Sequence, residues 1–112
     1  MIETIVKRFL NQYGPVSCYM ERPESAPAEY LLIEKTGSVT ANEVTTSTIV
    51  IQSYAKSLYK AAVLNNEVVA VMHTLPDCED QVAGVNLNTD GNFTQAAAKQ
   101  YRYQAVFTIT HY

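Results

Sequence analysis

Two cysteines and two histidines, Cys18, His73, Cys78 and His111, supply the atoms that a zinc site with two thiolates and two imidazoles would need. Structural zinc sites draw their ligands from closely spaced pairs, and here the two cysteines stand sixty positions apart. Only His73 and Cys78 fall near one another, across the end of an expected helix. Composition without spacing therefore reads Cys18 as a small core residue and the histidines as boundary groups. A cysteine nucleophile meets the same objection, because only geometry makes a base of a histidine. Carboxylates recur as Glu21 with Glu24, Glu29 with Glu34, and in the stretch Asp77 to Asp80. No apolar surroundings are evident that would raise their pKa values, so they read as solvated loop charge. The four glycines form no Gly-x-Gly array able to cradle phosphate. The acceptor pattern "NFT" at Asn92 to Thr94 has no secretory segment to give it a use. The expectation is a chain with no catalytic residue, no metal and no cofactor. The alternative is a small cytoplasmic enzyme or ligand-binding module using Cys78, His73 and the nearby carboxylates.

The balance of charge excludes a further class. Formal net charge is -3, and apart from Lys7-Arg8 the eight basic residues are scattered, so no stripe exists to neutralise a row of phosphates. With 112 residues, 47% hydrophobic and 17% charged, the chain suits one hydrophobic core and hence a single domain over residues 1–112. No run approaches the roughly 20 apolar residues of a membrane span. The opening "MIETIVKRFLNQYG" carries Glu3, Lys7 and Arg8 within its apolar pattern, unlike a signal peptide. Cytoplasmic synthesis with reduced thiols is expected.

Hydrophobic spacing sets the elements. Ile2, Ile5, Val6, Phe9, Leu10 and Tyr13 fall at helical intervals, and Gly14-Pro15 stops that helix. "VSCYM" makes a short strand, and "ERPESAPA", with Pro23 and Pro27, an extended loop. Strands follow over Glu29 to Thr36 and about Glu43 to Ser53, with bends at Gly37-Ser38 and Ala41-Asn42. "AKSLYKAAVLNNEVVAVMHTL" places Ala55, Leu58, Tyr59, Ala62, Val69 and Met72 near one helical face, with Asn65-Asn66 as a weak point and Pro76 just beyond the end. Two final strands are expected, about Gln81 to Asn88 and Lys99 to His111. On the last, Tyr103, Ala105, Phe107 and Ile109 should face Ile5, Phe9 or the helix around Leu58. The loop Asn88 to Lys99 carries one large apolar residue, Phe93, and is expected to be mobile until docking gives that ring a pocket. The order α-β-β-β-α-β-β describes an α+β fold, a mostly antiparallel sheet of four to five strands packed by two helices.

Eight tyrosines and no tryptophan leave the composition rich in side chains common both at interfaces and at core rims. Three stretches carry a family resemblance: "ERPESAPAEYLLIEKTG", "IQSYAKSLYKAAVLNNEV" and "KQYRYQAVFTITHY". With the order of elements, they resemble the head-to-tail joining or tail-terminator (tail completion) proteins of tailed bacteriophages and prophages of Gram-positive bacteria, over nearly the whole chain. The resemblance implies helices packed on a β-sheet, a homo-oligomeric ring of six subunits, and a place in the virion at the tail or head-tail interface, assembled in the host cytoplasm. It implies partners in the tail tube and the head connector, DNA passing through the lumen without specific binding, no membrane, and no enzymatic residue. The matching positions are Gln52, Ser53, Tyr54 and Ala55, and Arg102, Tyr103, Gln104 and Ala105. Of these Arg102, Tyr103 and Gln104, together with Phe93, are the expected interface residues.

Overall fold

The computed structural model describes residues 1–94 and 100–112. Helix α1, Ile2–Tyr13, buries Ile2, Val6, Phe9 and Leu10 along one stripe. It ends where the Gly14 N–H donates to the Leu10 carbonyl at 2.8 Å. A side chain at Gly14 would bring its Cβ to 2.4 Å from that same oxygen, so only glycine allows the approach. Asn11 then binds the backbone of β1, Cys18–Tyr19, at two points: its Nδ2 donates to the Cys18 carbonyl and its Oδ1 accepts from the Cys18 N–H.

Strands β2, Tyr30–Ala41, and β3, Val44–Ala55, form one long hairpin. Its two-residue turn has positive φ at both Asn42 (53°) and Glu43 (67°), the backbone twist that suits a tight hairpin. The bend expected at Gly37-Ser38 is instead a bulge within a continuous strand, where pairing skips Thr36 between Lys35 and Gly37. Helix α2, Leu58–Met72, starts at Ser57, whose Oγ accepts from the Lys60 N–H. A short α3, Leu75–Cys78, takes Pro76 into its first turn, so this proline opens an element and does not merely follow one. Strands β4, Val82–Asn92, and β5, Tyr101–His111, complete a five-stranded mixed sheet in the order β1-β2-β3-β5-β4. Only β1 with β2 is parallel.

One buried cluster joins α1, α2 and a single face of the sheet. Ile33, Ile49, Ile51, Ala105, Phe107 and Ile109 meet Phe9, Leu64, Val68 and Met72 within it. The terminal strand thus turns the expected residues inward, although Tyr103 is only half buried. The face of α2 differs from the expected one. Ala61, Leu64, Asn65, Val68 and Met72 are buried, whereas Leu58 and Tyr59 are exposed, because the helix is apolar nearly all round and periodicity alone could not select a side. Asn65 is no weak point: buried in mid-helix, it donates from Nδ2 to Asp90 Oδ2 at 2.8 Å and ties α2 to β4. Residues Asn88 to Asn92, expected to be loop, are the last part of β4. Of the remainder, Phe93 and Thr94 follow the strand without regular structure, and 95–99 lie outside the described residues.

Substitutions at three positions test this packing. Replacing Phe107, fully buried, with Ala should lower stability by about 3 to 5 kcal/mol in chemical denaturation. Asp90→Ala should cost about 1 to 3 kcal/mol by stranding the Asn65 amide, and the double variant with Asn65→Leu should recover part of that loss.

Candidate interaction surface

Both main helices lie on one side of the sheet, so its opposite side has no second layer among the described residues. The central ladder decides which side chains appear there. Gln52 stands opposite Gln104, Ser53 opposite Tyr103, Tyr54 opposite Arg102 and Ala55 opposite Tyr101. The two stretches "QSYA" and "RYQA" are therefore neighbours on adjacent strands, a juxtaposition that sequence order does not contain. Alternation sends Gln52, Tyr54, Arg102 and Gln104 to the open face, and Ser53 and Tyr103 to the helix face.

Aromatic rings gather at one end of that face. Tyr30 stacks on Tyr54 with ring centroids 4.8 Å apart and planes 6° apart, and Tyr19 meets Tyr30 edge-on at 6.3 Å. Tyr30 is fully buried between its neighbours. Burial pushes its hydroxyl above the ordinary tyrosine value; the Arg22 guanidinium opposes this and Tyr54 adds to it. The hydroxyl donates to Gln100 Oε1 at 3.4 Å, an oxygen that also accepts from Arg22 Nη2 at 3.3 Å. The Pro-rich loop is in this way attached to the base of β5. Tyr54 in turn donates to Gln52 Oε1 at 2.9 Å.

The four expected interface residues divide between the faces. Phe93 is 45% exposed, and its N–H donates to the Arg102 carbonyl, which continues the ladder beyond β4. Its ring lies over Gly91, where an added Cβ would sit 4.0 Å from Phe93 Cε2. Arg102 directs both Nε and Nη2 at the Phe93 carbonyl, at 3.2 and 3.0 Å, so much of its donor capacity is spent inside the hairpin. Phe93, Arg102 and Gln104 share the open face, and Tyr103 points away from it. Sequence reasoning missed the Tyr19, Tyr30 and Tyr54 group. No local signal marks it, because three separate strands supply the rings.

Among the described residues the arrangement offers aromatic, amide and guanidinium contacts. Cys18 sits in β1 and His111 in β5, with β2 and β3 between them, so the four residues with metal-ligand atoms cannot converge. His111 Nε2 is instead 2.8 Å from Ser47 Oγ. Among the described residues no group of three or more His, Cys, Asp or Glu side chains is gathered to hold a metal ion. His73 precedes α3 and Cys78 is its last residue, and both are exposed. A surface groove of about 310 Å³ between α2 and the Pro15-Val16 turn, lined by Glu29, Tyr59, Lys60 and Glu67, includes neither. No helix among the described residues is long and apolar enough to cross a membrane. Comparison of the sequence with protein-family models and with curated proteins found no match in either.

The two thiols should behave oppositely. Burial pushes Cys18 up to about 12, with Lys7 pulling slightly the other way. Because the folded value exceeds the unfolded 9.0, the folded state holds this proton longer. Its contribution is fully present below pH 9 and is lost as pH rises through the interval to about 12, at a slope near 1.4 kcal/mol per pH unit. Denaturation at stepped alkaline pH should show the slope, and Cys18→Ala should reduce it. In the native protein iodoacetamide should modify exposed Cys78 and spare Cys18.

Proposed function

We propose that this chain is a structural virion-assembly protein, a ring-forming tail completion or head-to-tail joining protein of a tailed phage or prophage. The ring would have six copies, and it would contact the tail tube on one side and the head connector on the other. It would act at the tail or head-tail interface after assembly in the bacterial cytoplasm. The observation that carries the reading is the one-sided sheet: alternate residues of the two stretches behind the family resemblance, Gln52 and Tyr54 with Gln104 and Arg102, lie side by side on the face that no helix covers among the described residues. A surface of stacked tyrosines, glutamines and half-exposed Phe93 suits contact with protein. The fold class, helices packed against a sheet, is the one that the resemblance implies. A modest net charge of -3 is compatible with a lumen that lets DNA pass without holding it.

Electron microscopy and light scattering of the purified protein over a range of concentrations should show rings of about six chains of 12.5 kDa. Added to tails that lack their terminal ring, the protein should cap the tube end. Tyr54→Ala, which removes the stacking partner of Tyr30, should reduce capping by about tenfold if this face meets the tail. A protein that stays monomeric, leaves tails uncapped and turns over a small molecule would place the chain in the enzyme class instead.

A further inference from the structure

The outer strands of the sheet leave long stretches of backbone unpaired among the described residues. β1 covers β2 only at Leu31 and Leu32, so the edge from Ile33 to Ala41 is free. β4 is the other outer strand, 11 residues long. Free edges of this length are templates for another strand. Several features specify which strand fits.

Direction is the first. β2 runs antiparallel to β3, β3 to β5 and β5 to β4, so β2 and β4 point opposite ways. A second copy related by rotation about an axis along the strands brings its β4 beside β2 in the antiparallel sense used by the three long pairs of this sheet. The bulges are the second. Each bulge reverses which residues face the helices: on β2, Lys35 does so before the bulge and Ser38 after it, and on β4, Leu87 before and Asp90 after. A strand without a matching bulge would present correct faces on one side of Thr36 and wrong ones on the other.

We infer that the free edge of β2 pairs with the β4 edge of the next copy of this chain, antiparallel, with Lys35 opposite Asp90. That register sets bulge against bulge and matches faces on both sides of them, with Val39 opposite Asn86 on the open side and Ala41 ending opposite Gly84. It also places the one basic residue of the free edge beside the one charged residue of β4, both on the helix side. Glu3 Oε1 is already 3.8 Å from Lys35 Nζ, and an ammonium has donors enough for both carboxylates. Because two different edges meet, the contact is heterologous and propagates until it closes. The inference rests on the ring reading and names the contact that would build the ring.

Disulfide trapping tests it. Val39 and Asn86 are both exposed, so Val39→Cys and Asn86→Cys in a Cys78→Ser background should leave the fold intact. Mild oxidation of the double variant should give a ladder of linked copies ending in a closed ring, while each single variant stays unlinked. Without any substitution, amide exchange over residues 38–41 should slow by about tenfold or more when the protein assembles. Rings that form without the ladder, with that edge still exchanging fast, would overturn this contact and leave the ring reading standing. Linkage through Val39→Cys alone would show β2 pairing with itself, which also overturns it. A ladder on open filaments would support the edge pairing and remove the closed ring. No self-association at any concentration would remove both.

Discussion

The pairing of β3 with β5 is the constraint on which the rest of the molecule depends. Eleven consecutive pairs, from Thr45 opposite His111 to Ala55 opposite Tyr101, run without a register shift. Both flanking ladders are interrupted, β2 at Thr36 and β4 near Ala83 and Asn88. A straight central ladder holds Ile49 against Phe107 and Ile51 against Ala105 on one face, and that row of apolar side chains is what α1 and α2 cover. A slip of one residue would send the whole row to the other side. The side chains of the uncovered face, from Gln52 to Gln104, follow from the same register.

Polar groups inside the molecule fix how the layers meet. Asn65 is buried in the middle of α2, where an apolar residue would pack with less cost, and its bond to Asp90 sets the helix relative to β4. Ser53 Oγ and Asn65 Oδ1 are buried without a hydrogen-bond partner among the described residues. Such groups reduce stability, and each carries a desolvation cost of about 1 to 3 kcal/mol. Ser53 belongs to the "QSYA" stretch and is fully buried on the helix face. At the surface, Arg8 with Glu79 at 3.2 Å joins α1 to the end of α3, a solvent-screened pair of small energetic weight.

A sheet with helices on one side is an unfinished sandwich in packing terms. Within this chain the open face is partly closed by its own aromatic rings: Tyr30 disappears between Tyr19 and Tyr54, and Phe93 folds over Gly91. What remains is amide and aromatic surface, flanked on either side of the sheet by an edge that is free among the described residues.

The sequence by itself determined the kind and order of the principal elements. The spacing of Ile2, Val6, Phe9 and Leu10 can only be a helix stripe, the alternation from Tyr101 to Ile109 can only be a strand, and Gly14-Pro15 can only end what precedes it. These are local signals, written within one or two turns or a few strand positions. Where local signals were balanced, tertiary structure decided. Helix α2 has apolar residues on most of its circumference, so the sheet beneath it selected Ala61, Leu64 and Val68 over Leu58 and Tyr59. Gly37-Ser38 read as a bend and Asn88 to Asn92 as loop because glycine commonly breaks strands, yet pairing with β3 and β5 carried both strands through these positions, with a bulge in each. The tyrosine cluster and the meeting of "QSYA" with "RYQA" were not legible at all. Each depends on register between strands distant in sequence, and register is fixed only when both partners bury the same face.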